Sequence, residues 1–567
     1  MRQLIWSRKV FSPFLLSLAA LLVAGPATAE VGTQEAAEVG TQDEDLLLRS
    51  SKTLRKRVVV KKADDDKPVP NLSMGDPGSV TVQEERWLSL RDSINRPHRS
   101  DALLSEVAPE DIRPWQPPTS AGVSSARGGD PLALQVNGTP SSAPGAPSVV
   151  NETSVAAVGD YVFYTANWYA AASTDGGETW NFVNPSAGPF PEPPGEDFCC
   201  NQRVHHDIPT NTTFWLQQMI PDTSPTGTQR VNVDLNTDGS WDCFYDLTPE
   251  DADFGVGNYP DYPDVAVSKG HLFVTSNVFA GTGDGAFQGA FVARLPLPDV
   301  TRCQSTMADF HTETGFGSFR TTQGAEDTMY FADHESTTSI RVWSWPDASA
   351  APTSVSRTTN AWSNGTRNCI DPSGLNWCGF IDARLFGAAV GGDRVAFLWT
   401  PEENPAGGFP FPYTQGIVLD ASNDLAVLEQ PLIWSTDAAW IYPSLASNSN
   451  GDFGGTLLWG GGSSFPNCSA FLVDDVNGDA WAPFEHEVVI AGGGGAAGTN
   501  RSSDHLSTRV YASNDKVYAG SCFGYPSMGV GESRYVLFGR ANDFLDIGIF
   551  ADGFESGDFS AWSVAFQ

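Results

Sequence analysis

From about residue 147 the chain alternates short apolar runs rich in Val, Phe, Tyr and Trp with clusters of Gly, Pro, Asn and Asp, and none of it repeats with a helical period. Stretches such as Gly270-His-Leu-Phe-Val-Thr-Ser-Asn277 and Asp393-Arg-Val-Ala-Phe-Leu-Trp399 put one strand face against a neighbouring layer. A looser pattern, a polar or Pro-containing turn followed by small apolar residues, begins near 152, 206, 262, 326, 382, 442 and 504. These starts lie 54 to 64 positions apart, close to one four-stranded antiparallel unit each. Such a unit buries its faces only by stacking on others. Seven around one axis predict an all-β fold, a seven-bladed β-propeller over 147–545.

The preceding region has a different texture. Residues 30–146 are rich in Ala, Ser, Pro and charge without sustained period, and read as a low-order propeptide or linker with a basic knot, Lys52-Thr-Leu-Arg-Lys-Arg57, and a short helix around 84–94. Residues 1–29 carry Arg2, Arg8 and Lys9, an apolar run from Phe11 to Ala24, and Ala27-Thr-Ala29, the pattern of a secretory signal peptide cut before Glu30. No later segment is long and apolar enough for a membrane-spanning helix. Removing the signal leaves 30 basic against 68 acidic residues, a formal charge of −38, which would repel nucleic acid and anionic membrane surfaces. A secreted or cell-surface protein is the expectation, with an extracellular glycan or protein as partner and the oligomeric state open. Arginine supplies most positive charge beyond residue 70, but no cluster of it is visible along the sequence.

Eight cysteines in an exported chain read as disulfide staples. Cys369 and Cys378 are spaced to close a small loop, whereas Cys199 and Cys200 are expected to find separate partners rather than a vicinal bond. The seventeen tryptophans are expected mostly as wedges between blades, with two or three exposed near the polar face as sugar platforms.

Ser173-Thr-Asp-Gly-Gly-Glu-Thr-Trp180 resembles the Asp-box (BNR repeat) of sialidase-like β-propellers. Asp175 would accept backbone N–H groups across a tight turn, Gly176 and Gly177 would supply positive φ, and Trp180 would pack beneath the hairpin. Ser173, Asp175, Gly177, Thr179 and Trp180 are therefore structural residues, and the resemblance implies fold before activity. Phe198-Cys-Cys-Asn-Gln202, Phe214-Trp-Leu-Gln217, Asp261-Tyr-Pro-Asp-Val265 and Thr275-Ser-Asn277 resemble segments of large exported bacterial propeller proteins without assigned activity. Kinship with sialidases implies six blades, against the seven that the spacing gives. A sialidase also implies an Arg-Ile-Pro signature before its first Asp-box. Here Arg294-Leu-Pro296 follows the box, and no arginine stands between Gly129 and Asp175, which argues against sialidase activity. The tail 546–567 resembles a C-terminal segment of exported bacterial proteins suspected of a sorting role.

In a propeller, turns leading into the innermost strands gather at one channel mouth, so the seven starts are expected to converge. They offer Asp207, Asp261, Asp382, His205 and His505 as catalytic candidates and His206, Asp264, Glu326, Asp327, Arg384 and Asp504 as binding candidates. The alternative is a set of solvated strand-end caps that contribute little to folding. Asp234, Asn236, Asp238 and Asp242 place oxygens at alternate positions around Gly239, as a calcium loop begins, but Tyr245 stands where the closing Glu belongs; a plain turn explains the same residues. The reading is an exported, non-catalytic propeller binding a glycan or other extracellular ligand at its channel mouth. A carbohydrate-active enzyme, glycoside hydrolase or polysaccharide lyase, and a surface adhesive protein are the alternatives.

Overall fold

The structure, a computed structural model, describes residues 50–62, 130–143, 151–281, 285–379, 381–478, 481, 485–495 and 505–547. The signal segment, the expected helix at 84–94, Asp504 and the tail beyond 547 lie outside the described residues. The described chain forms seven antiparallel sheets. Their innermost strands are Ser154–Val158, Glu196–Asp207, Asn258–Val267, Arg320–Thr321, Leu385–Gly391, the broken pair Ala439–Ile441 and Ala446–Ser447, and Thr508–Tyr511, defining blades 1 to 7 in order. Each innermost strand touches the next, and that of blade 7 returns to that of blade 1, so the ring is closed. The fold is the seven-bladed propeller. Among the described residues no helix is long and apolar enough to cross a membrane.

Aromatic wedges fill the seams between blades. Phe163 of blade 1 meets Trp215 and Trp241 of blade 2 at ring-centroid distances of 5.0 and 5.3 Å, and Phe273 of blade 3 meets Trp345 of blade 4 at 5.9 Å. Among the described tryptophans only Trp459 is partly exposed, and it stacks on Trp440, so the expected exposed platforms are absent from this set. Two disulfides staple neighbours: Cys243–Cys303 joins blades 2 and 3, and Cys468–Cys522 joins blades 6 and 7. Cys369–Cys378 closes the small loop expected of it. Cys199 and Cys200, expected to separate, are instead bonded to each other at a bulge of the blade 2 inner strand.

The expectation of a low-order region over 30–146 needs two corrections. Leu132–Gly138 is the outermost strand of blade 7, paired with Tyr535–Arg540, so the ring is closed by a strand from before the repeats. Glu485 of blade 6 accepts the Leu132 N–H at 2.9 Å while also receiving Arg540 Nη1 at 2.8 Å. The basic knot is a strand as well. Ser51–Val58 adds a fifth strand to blade 3 and Lys61–Lys62 one to blade 2. Its charges meet acidic blade edges: Lys52 with Asp253, Arg55 with Asp309 at 3.4 Å and Lys61 with Asp246 at 2.9 Å. Complementary charge and burial of Val58 tie this arm down, a long-range pairing that local periodicity does not reveal.

Candidate functional site

The innermost strands carry a recurring kink. Glu152, Cys200, Tyr262, Ser318 and Tyr442, at or just before the start of the channel-lining segment in blades 1, 2, 3, 4 and 6, have φ of 60°, 52°, 51°, 53° and 53°. Register shifts accompany it between Phe198 and Gln202 and between Asp261 and Asp264. The polar side chains that follow the bend, among them Gln202, Arg203, Asp264 and Arg320, are all buried.

The predicted starts do not share one phase, and this divides the expected ring of polar residues between the two ends of the channel. His205, His206 and Asp207 end the blade 2 inner strand, and Glu326 and Asp327 follow that of blade 4. Together they line a funnel of about 840 Å³ at the exit ends of the inner strands, to which all seven blades contribute. Lys269, Tyr330, Asp393, Arg509 and Asp515 also line it. Asp382, Arg384 and His505 precede their inner strands, Asp261 lies in the first half of its own and Asp264 past the middle of the same strand, and none of them lines it.

Within the funnel, His206 Nδ1 contacts the Thr213 and Thr237 hydroxyls at 3.1 and 3.2 Å. Desolvation lowers its pKa to about 4, and burial followed by repulsion from Arg509 pushes His205 well below its ordinary value. Both imidazoles are neutral at pH 7. Burial raises the Asp207 carboxyl, and the hydroxyl and N–H of Thr210 bind its Oδ2, the N–H at 3.2 Å. Glu326 and Asp327 stand exposed at the rim and share Lys269 at 3.1 and 3.7 Å.

The residues toward the other end are not solvated caps. Asp264 and Asp382 are 2% and 3% exposed, and Asp382 receives both the backbone N–H and Nε of Arg384, the latter at 2.7 Å. Burial alone would raise the Asp264 carboxyl, but Arg320, Arg203 and Arg509 outweigh it and hold it below the usual range. Arg320 and Arg384 lie 5.2 and 4.1 Å from the Tyr262 ring centroid, and Arg320 also donates to the Tyr262 hydroxyl. Asp261 accepts from Asn201 at 3.0 Å, and His505 is 1% exposed. Arg203, Arg320, Arg384 and Arg509 come from four blades and are all buried; ring closure brings them together, and of the four Arg320 carried no signal in the sequence.

The residues read as the start of a calcium loop form a hydrogen-bonded turn. Asp234 accepts the Asp238 and Gly239 N–H groups at 3.2 and 2.8 Å and Asp242 that of Leu235 at 2.8 Å, so the carboxylates serve the turn. Asn236 contributes only its carbonyl oxygen, to Asn211. Among the described residues no group of three or more His, Cys, Asp or Glu is placed to hold a metal ion. The Ser173–Trp180 turn is tight and lies between the outer strands of blade 1: Asp175 accepts the Thr179 N–H at 2.9 Å, and Trp180 Nε1 donates to Gly177 at 3.1 Å. Hydrogen bonds from the Thr179 side chain, the Thr179 N–H and Ser173 lower the Asp175 pKa to about 2.

No protein-family model matches the chain, and no curated protein does. Solved structures of similar shape include an α-L-arabinofuranosidase from Fusarium graminearum (9% identity, 73% of this chain and 99% of that one, TM-score 0.36). They also include Trypanosoma rangeli sialidase with 2,3-difluorosialic acid (11%, 58% and 52%, TM-score 0.31) and SapL1 lectin with α-methyl fucoside (7%, 61% and 97%, TM-score 0.31). At these scores the likeness decides nothing about the site.

Proposed function

We propose that this protein is exported and binds an extracellular glycan, or another hydroxyl-rich ligand, in the funnel at the exit ends of its inner strands, without turning it over. One observation carries the non-catalytic reading: the funnel's imidazoles are desolvated and neutral, and His206 is bonded to threonine hydroxyls instead of a carboxylate. General-base catalysis is most efficient with a pKa near the working pH, and desolvation, which brings His206 to about 4, makes it a weak base at pH 7. Neutral imidazoles and hydroxyls suit recognition of sugar hydroxyls, and about 840 Å³ lies within the usual range for a ligand site. The signal-like N-terminus and the disulfides support export, and the Ser173–Trp180 turn supports a place among Asp-box propellers.

The test is a glycan and polysaccharide panel scored for both retention and product. Retention without product, weakened in His206→Ala, is the expected result; product formation ends the non-catalytic reading. A carbohydrate-active enzyme is the second reading, favoured by the raised carboxyl of Asp207 beside two histidines. Turnover abolished by Asp207→Asn would establish it.

A further inference from the structure

The channel interior beyond the funnel floor gathers guanidinium groups around too few described carboxylates. Arg203, Arg320 and Arg509, from blades 2, 4 and 7, are 1%, 4% and 7% exposed. All three address one carboxylate, Asp264. Arg320 Nη1 lies 3.1 Å and Arg203 Nε 3.8 Å from its Oδ1, and Arg509 is coupled to it electrostatically. The neighbouring Asp382 is committed to Arg384.

Several donors of this cluster find no acceptor. Arg203 Nε donates to the Pro263 carbonyl and Arg509 Nη1 to that of Thr508, both at 3.1 Å. Arg203 Nη2 and Arg509 Nε and Nη2 are buried without a hydrogen-bond partner. Desolvation, followed by repulsion from Arg320, pulls Arg203 down to about 9. Desolvation, partly offset by Asp264, brings Arg509 to about 10. Arginine keeps its charge in nearly every protein environment, so these depressions mark cations short of counter-charge. Burying a guanidinium with unmet donors is severely unfavourable, and here two are brought together by ring closure.

We infer that a small inorganic monovalent anion, a halide, resides in the channel interior, bound by the unpartnered N–H groups of Arg203 and Arg509, with Arg320 and Asp264 completing the surrounding charge. A halide accepts N–H donors from any direction and needs no donors of its own. Asp264 would repel a second negative charge, which disfavours sulfate or phosphate. Arg509 also borders the funnel, so the halide readout is taken without any glycan present and does not depend on the ligand proposed there. It makes the anion a structural counter-ion that ties blades 2, 4 and 7 across the axis.

The experiment uses the full mature protein at pH 7.5 and constant ionic strength, with sodium chloride, bromide, acetate or the bulkier gluconate. Mass action predicts a saturating rise in Tm of about 2 °C or more in chloride and bromide over gluconate. Crystals grown in bromide should show an anomalous peak within hydrogen-bond distance of Arg203 and Arg509. Arg509→Met should remove the halide dependence. Asp264→Asn should steepen it, because the arginines then face the anion alone, and this variant keeps the test valid if Arg509→Met does not fold. Equal Tm in chloride and gluconate for both wild type and Asp264→Asn, or no bromide peak at the cluster, overturns the inference. Protection by acetate and not by chloride overturns it too, by assigning the site to the carboxylate of an organic ligand.

Discussion

His334 sets a pH limit on the seam between blades 4 and 5. Its ring lies 4.9 Å from that of Trp362 and 4.8 Å from that of Trp399, is 4% exposed, and has no hydrogen-bond partner at either nitrogen. Burial, reinforced by the nearby Arg367 charge, lowers its pKa to about 3. A base whose folded pKa is depressed takes up its proton in the unfolded state first, so stability is lost as pH falls below about 6.5. At pH 5 an unfolded imidazole is about thirty-fold more protonated than neutral while the folded one stays neutral, and RT ln 30 is about 2 kcal/mol. Above pH 7.5 the contribution vanishes. Leucine matches the volume approximately and removes both unsatisfied nitrogens, so His334→Leu should be at least as stable as wild type at pH 7.5 and gain a further ~2 kcal/mol relative to it at pH 5. Urea unfolding of the disulfide-intact protein at both pH values reads this as a diverging pair of midpoints. Parallel pH profiles for variant and wild type would refute the reasoning, because the other depressed histidines, His205, His206, His271 and His486, are present in both proteins.

Asp382→Ala should cost roughly 3 kcal/mol or more in unfolding free energy, because it removes the carboxylate bonded to a buried arginine; a Tm unchanged by it would return Asp382 to the class of solvated caps. A chain beginning at residue 144 lacks the closing strand and should not yield a protease-resistant ring, whereas cleavage within 63–129 should leave Leu132–Gly138 in place; a stable folded product from the shorter chain would contradict the closure. Replacing Cys468 and Cys522 together by serine should lower stability by about 2–5 kcal/mol and loosen the seam of blades 6 and 7, measured by hydrogen exchange along Ser464–Val473.

The blade count was legible because stacked units of similar length leave a period in the sequence whatever their residues. Phase within the period was not. Glu326 and Asp382 were aligned as equivalent starts, yet the first follows its innermost strand and the second precedes its own. The polar turns at the two ends of a strand look alike in sequence, and the blade 4 inner strand is only Arg320–Thr321, too short to register as an apolar run. The closing strand Leu132–Gly138 and the basic arm were missed for another reason: their partners lie hundreds of positions away, and pairing at that range leaves no local signature. The arginine cluster shares this property, since Arg203 and Arg509 belong to blades 2 and 7.

The left-handed kinks have to be set against what they place. Each non-glycine residue held at positive φ costs on the order of 1–2 kcal/mol, and five blades carry one at corresponding points, so the strain opposes folding unless the side chains it directs inward return more. Tyr262 separates the two effects. Its ring packs against the guanidiniums of Arg320 and Arg384, and its hydroxyl meets Arg320. Tyr262→Gly relieves the backbone by about 1 kcal/mol but empties a fully enclosed aromatic site, a loss of about 3–5 kcal/mol. Tyr262→Phe keeps ring and strain and removes only the oxygen, costing about 1–3 kcal/mol. The order of stability should therefore be wild type, then Phe, then Gly. A glycine variant as stable as wild type would mean that the kink, and not the ring beneath the arginines, dominates the balance, and the inward-facing cluster would then be a by-product of the bend instead of the reason the bend persists.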